Sequence, residues 1–195
     1  MNKAFIAMFT VLAASLAHAQ ISAETVAPNT PDTPATPDMP PNVLDASGHL
    51  VGTLSHFQYN YGPLITRGNT RFVVPLQRKT TTDDPSDIKA PSSASLFLYH
   101  TVDSLLYYTS ADCSGDPVVI PSEGPTPALV VREGATVTAY VASNTASQSF
   151  SIASQRSTQT EACTPLSTPS QRTGWPMGSK IVLTREHPEP LTVSY

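Results

Sequence analysis

Charged side chains are few in this sequence: Asp, Glu, Lys and Arg make up 13% of its 195 residues, against the roughly 25% usual in globular proteins. The 11 Lys and Arg are scattered, and the 15 Asp and Glu outnumber them. No basic patch is therefore offered to nucleic acid or to an anionic lipid surface. Tryptophan occurs once and cysteine twice. Two cysteines without well-spaced histidines do not complete a tetrahedral metal shell, and no cofactor motif accompanies them. G-x-S-x-G, H-E-x-x-H, the P-loop and G-x-G-x-x-G are all missing, which removes the usual sequence signatures of α/β-hydrolases, zinc proteases, nucleotide-phosphate sites and dinucleotide enzymes. Long apolar runs are missing too. The longest, Ala4 to Leu16, is shorter than the roughly 20 residues a membrane helix needs.

That short run is the centre of an export signal. Lys3 places a positive charge before it, and Ala17-His18-Ala19 presents small residues at the two positions a signal peptidase reads, ahead of Gln20. A charged start, a short apolar stretch and an A-x-A end define a secretory leader. Residues 1–19 are expected to be cleaved, leaving a periplasmic or secreted chain with no transmembrane segment. Loss of Lys3 leaves 10 basic against 15 acidic residues, a formal charge of −5. In an oxidising compartment Cys113 and Cys163 read as one disulfide, with two unpaired thiols as the alternative.

Gln20 to Pro41 has a different composition. Pro28, Pro31, Pro34, Pro37 and Pro40 recur at every third position. A polyproline II helix has three residues per turn, so five prolines share one edge. Residues 20–41 therefore read as a semi-rigid spacer of about 3.1 Å per residue. A docking peptide for a proline-binding partner is the functional alternative. Collagen is excluded because the first Gly is Gly48.

Residues 42–195 read as a single β-domain of short strands and turns. Val43–Asp45 and His49–Val51 flank Ala46-Ser47-Gly48, a hairpin with Gly where φ > 0 is needed. Phe57, Tyr59 and Tyr61 alternate with polar residues as one strand with an aromatic face. Leu64–Thr66 and Phe72–Leu76 flank a second hairpin at Arg67-Gly68-Asn69-Thr70, and Pro75 marks an edge or bulge. After an aperiodic polar stretch at 78–95, strands are expected at Leu96–Tyr99, Leu105–Thr109, Val118–Ile120, Ala128–Val131, Thr136–Ala142, Phe150–Ala153, Ile181–Thr184 and Leu191–Ser194. Roughly ten short strands without an amphipathic helix imply an all-β fold, an antiparallel sandwich or open barrel with one disulfide.

Candidate chemistry is sparse. His49, His56, His100 and His187 follow no ligand spacing and read as surface residues. Asp103, Asp112 and Asp116 cluster in sequence around Cys113. Paired acids suit glycoside chemistry or calcium, but Asp is also a favoured turn residue because its side chain bonds nearby amides. Asp83, Asp84 and Asp87 read as solvated charges. The stripe Tyr99, Tyr107 and Tyr108 is either core or a gripping surface of the kind that carbohydrate- and protein-binding modules use. Adjacent Tyr107 and Tyr108 face opposite ways in a regular strand, so one of them looks outward. Tyr107, Tyr108, Asp112 and Asp116 are the candidate ligand-binding residues, and none is assigned a catalytic role.

Three segments carry a family resemblance: Val43-Leu44-Asp45-Ala46-Ser47-Gly48-His49-Leu50-Val51-Gly52, the strand Arg71-Phe72-Val73-Val74-Pro75-Leu76, and above all Tyr108-Thr109-Ser110-Ala111-Asp112-Cys113-Ser114-Gly115-Asp116-Pro117. The last resembles the "Y-x-S-A-D-C-x-G-x-P" centre of a family of uncharacterised exported Gram-negative β-rich domains. A later Cys163 and the ending Glu189-Pro190-Leu191 are similar as well, while 78–95 departs as a longer insertion. The resemblance implies export, a β-rich domain and the Cys113–Cys163 bond, and it implies no catalytic residues. The function expected is a non-enzymatic exported module for binding or envelope structure, with a protein or glycan partner. A carbohydrate-binding or small hydrolytic domain using the Tyr and Asp residues near Cys113 is the alternative.

Overall fold

A computed structural model describes residues 39–57, 60–79, 95–101, 105–120 and 124–195. The leader, the spacer up to residue 38, most of the 78–95 stretch, Tyr59 and Asp103 lie outside the described residues. Among the described residues the fold is all-β and antiparallel, with thirteen strands, one four-residue helical turn and one disulfide. Among these residues the ladders form several sheets and no closed barrel.

The first sheet is built from hairpins. β1 (Asn42–Leu44) turns into β2 (Leu50–Phe57), β3 (Asn60–Arg67) follows, and β4 (Thr70–Val73) closes the run. Gly48 and Gly68 hold φ of 80° and 55° in the first and third turns, the left-handed conformation glycine adopts at least cost. The C-terminal β13 (Thr192–Ser194) returns to pair with β1, giving the order β13-β1-β2-β3-β4. Val74 and Pro75 bend the chain out of β4 into β5 (Leu76–Arg78), which pairs with β6 (Phe97–Tyr99). Proline has no amide for a ladder, and the ladder changes where Pro75 stands. β3 crosses this bend so closely that a Cβ on Gly62 would overlap the Val74 carbonyl.

One expected strand is instead two. Phe57 lies opposite Asn60 in the β2–β3 ladder, so the chain reverses inside the segment that alternation had suggested was continuous. His56 and Tyr61 become a cross-strand pair with ring centroids 4.4 Å apart. Phe57 and Tyr61 thus stand on opposite arms of a hairpin, a pattern that period-2 counting does not separate from one strand.

The middle layer is the sheet β12-β9-β8, made of β8 (Ala128–Glu133), β9 (Thr136–Ala142) and β12 (Met177–Val182). Ala128, Val130, Val137, Ala139 and Val141 enter a first core with Val43, Ile65, Phe72, Phe97, Tyr99, Leu183 and Leu191. Leu129, Val131, Tyr140 and Ala142 enter a second core with Leu106, Tyr108 and Val119. A sheet covered on both faces needs near-continuous apolar strands, and every residue from Val137 to Ala142 is buried. The helical turn α1 (Leu183–Glu186) follows β12 and buries Leu183 in the first core.

The third sheet, β11-β10-β7, covers the second core. Its strands are β7 (Leu105–Tyr108), β10 (Gln148–Ser157) and β11 (Cys163–Gly174). β11 is mostly exposed and carries Pro165 and Pro169, residues that blunt an edge strand against unwanted pairing. Ile152 pairs with Ser170 but Ser154 with Pro165, so residues 166–169 stand opposite Ala153 as a wide irregularity in β11.

Candidate ligand-binding face

Alternation along β7 decides which tyrosine is available. Leu106 and Tyr108 are buried in the second core, so Tyr107 between them points the other way. The register sets Tyr107 opposite Gln155, beside the buried pair Tyr108 and Ser154. On the far side of β10, Gln155 lies opposite Thr164. Tyr107, Gln155 and Thr164 thus form one outward row across three strands.

An arginine reaches this row because the end of β11 curls back. The Val118 amide donates to the Tyr107 carbonyl at 2.9 Å, and Val119 and Trp175 exchange backbone bonds of 3.0 and 2.8 Å. Gly174 permits the approach, since a Cβ there would sit 2.7 Å from the Val119 carbonyl oxygen. The result places the Arg172 guanidinium 5.4 Å from the centroid of the Tyr107 ring, within cation–π range. Arg172 makes no ion pair among the described residues. Beside it, Ser149 donates to Gln171 at 2.9 Å.

Tyr108 supports the face from below. Burial pushes its hydroxyl pKa up, and the positive charge of Arg156 pulls part of that shift back. Tyr140 is raised for the same first cause, with Glu133 adding to the shift. Arg156 Nη2 lies 2.7 Å from Glu133 Oε1, an ion contact not aligned as a hydrogen bond.

The loop after β7 is fixed to β10 by covalent and polar ties. Cys113 and Cys163 are disulfide-bonded, with Cα atoms 5.9 Å apart. Cys163 lies opposite Arg156 on β11, so the bond draws the loop across β10. The buried Ser154 hydroxyl donates to the Ser110 carbonyl at 2.7 Å and accepts the Cys113 amide at 3.1 Å. Asp112 Oδ1 takes the Ser114 hydroxyl and amide at 2.6 and 3.2 Å. Those bonds hold the Asp112 carboxyl below the ordinary carboxylate range. Asp112 is thereby engaged in its own turn, and Asp116 is exposed. Among the described residues Cys113 is one of two non-glycine residues at positive φ, at 57°.

A second polar cluster seals the first core, and sequence reading missed it. Buried Asp45 accepts the Ser47 and His49 amides on Oδ1 at 2.8 and 3.0 Å. Its Oδ2 lies 3.3 Å from His187 Nδ1. Burial pushes the Asp45 carboxyl up, but the two amides together with His187 and His49 outweigh it and leave the pKa lowered. Arg132 grips Glu189 at 3.0 and 2.7 Å, and Glu189 accepts the Tyr99 amide at 2.6 Å. Burial, then Glu189 and Asp45, push the Tyr99 hydroxyl far above its ordinary range. The hairpin expected at Ala46-Ser47-Gly48 placed Asp45 at a turn but gave it no role; nothing in the sequence signalled His187 as its partner, 142 positions away.

Of the remaining histidines, His100 Nδ1 is 3.0 Å from Gln77 Oε1, and burial lowers its pKa. His49 and His56 are exposed. Among the described residues no cluster of three His, Cys, Asp or Glu side chains is arranged to hold a metal, and no helix is long and apolar enough to cross a membrane. In comparisons with family models, curated proteins and solved structures, nothing matches this chain.

Proposed function

We propose that the chain is an exported, non-enzymatic binding module of the cell envelope, presented on its proline-rich arm and engaging its partner through the β7–β10–β11 face. The leader-like residues 1–19, the family resemblance and the Cys113–Cys163 bond support export. The observation that carries the binding reading is the outward row Tyr107, Gln155 and Thr164 with Arg172 over the tyrosine ring. These groups do not contribute to either core, and they combine an aromatic surface, an amide, a hydroxyl and a cation. Hydrolysis through Asp112 and Asp116 draws less support, because Ser114 occupies Asp112 in the manner of a turn carboxylate.

Two measurements test this. Intact mass of the protein recovered from the periplasm should correspond to a chain starting at Gln20; retention of residues 1–19 would refute export by leader cleavage. Mature protein should co-sediment with isolated envelopes, and the double variant Tyr107→Ala, Arg172→Gln should lose most of that association while keeping its melting temperature within a few degrees. Undiminished co-sedimentation of the double variant would place the binding surface elsewhere.

A further inference from the structure

We infer that the Tyr107–Arg172 face takes a carboxylated glycan, a polymer or oligosaccharide containing uronic or other acidic sugars. This inference rests on the binding-module reading and specifies its ligand. The row offers hydrogen-bonding groups that carry no charge: the Gln155 amide and the Thr164 hydroxyl beside the Tyr107 phenol. Such groups match sugar hydroxyls, and an aromatic ring matches the apolar C–H face of a pyranose. One formal charge, that of Arg172, stands over the Tyr107 ring. Among the described residues Arg172 makes no ion pair, and its guanidinium lies 5.4 Å from the centroid of the Tyr107 ring.

A guanidinium presents a planar fork of donors that fits a carboxylate bidentately. Charge complementarity therefore selects an acidic sugar over a neutral one. A long acidic protein surface is a poorer occupant, because a single cation with no basic neighbours on the row gives it one point of attachment. Rigidity favours the same conclusion. The row lies on paired strands, and the neighbouring loop is tied to β10 by the disulfide and by Ser154. Little ordering remains to be done when a sugar binds.

The experiment is isothermal titration of the full mature protein with a hexameric oligogalacturonate and a sialylated oligosaccharide, with maltohexaose as the neutral control. At least one acidic probe should bind about tenfold or more tightly than maltohexaose, the range expected from one charge-assisted contact. Arg172→Gln, an exposed substitution, should abolish that preference, and Tyr107→Phe should retain it. Equal binding of acidic and neutral sugars, or a preference that survives Arg172→Gln, overturns the assignment. Absence of binding to every probe, with envelope co-sedimentation still dependent on Tyr107 and Arg172, overturns the glycan inference and leaves the binding-module reading standing. Loss of that dependence as well overturns both.

Discussion

Replacing Cys113 and Cys163 together by serine opens a loop with a sequence separation of 50. For a loop of that length the chain-entropy relation gives roughly 14 cal/mol/K, about 4 kcal/mol at 25 °C. One local feature reduces this figure. Cys113 sits at φ 57°, where a residue with a Cβ is strained by roughly 1–2 kcal/mol, and an uncrosslinked loop is free to release part of that strain. The expected destabilisation is therefore about 3 kcal/mol. In a domain of this size each kcal/mol moves the midpoint by roughly 2–4 °C, so the double variant should melt about 6–12 °C lower. The loop should stay docked below that temperature, because the Ser154 hydroxyl still bridges Ser110 and Cys113 and the Val118 amide still reaches Tyr107.

Differential scanning calorimetry of the oxidised protein and the double variant measures the shift. Alkylation without reductant, read by intact mass, should add no label to the parent protein; two labels would show that the thiols are unpaired. A fall in melting temperature below about 2 °C would refute the argument that the bond acts mainly on the unfolded chain. Loss of β-structure at 25 °C would also refute it, by showing that the third sheet cannot hold the loop without the covalent tie.

Two further predictions concern buried polar groups. Ser154→Ala leaves the Cys113 amide and the Ser110 carbonyl without their partner and should cost about 2–3 kcal/mol, measured by urea denaturation; a cost below 0.5 kcal/mol would show that water satisfies both. Asp45 has a lowered pKa in the folded chain, so its contribution is present above the unfolded value near 3.9 and is lost as pH falls through the folded value. Asp45→Asn should flatten the acid limb of stability below about pH 4, and an unchanged limb would place the titration on other carboxylates.

The two cores were legible to different degrees because apolar pattern reports burial rather than strand. The hairpins at Gly48 and Gly68 could be read from turn chemistry, and Ala128–Val131 from its apolar run. Thr136–Ala142 looked like simple alternation, yet the sheet it belongs to is covered on both faces; Thr138 and Tyr140, on the face opposite Val137, Ala139 and Val141, are buried as well. β11 left no trace in the sequence. Its twelve residues, CTPLSTPSQRTG, hold two prolines and almost no apolar side chain, since an exposed edge strand buries little of itself. Tyr107 could be placed as one of two candidates, but Arg172 could not. It reaches the ring only through the Val118–Tyr107 and Val119–Trp175 pairings, which join distant segments without any local signature.

That placement connects composition to the proposed binding role. A chain with one tryptophan and few charges gains its apolar burial by covering a single sheet on both sides, so Leu129 and Val130 serve different cores from adjacent positions. The outer face of the third sheet is then released from stabilising the fold. Gln155, Thr164 and Arg172 add nothing to either core, and a serine- and threonine-rich surface is tolerated there at little cost. What that surface lacks in packing it receives from the disulfide and from Ser154, which anchor the neighbouring loop across β10. Substitutions along the row should therefore change binding far more than stability, whereas substitutions at Tyr108 or Ser154, one residue away and facing inward, should do the reverse.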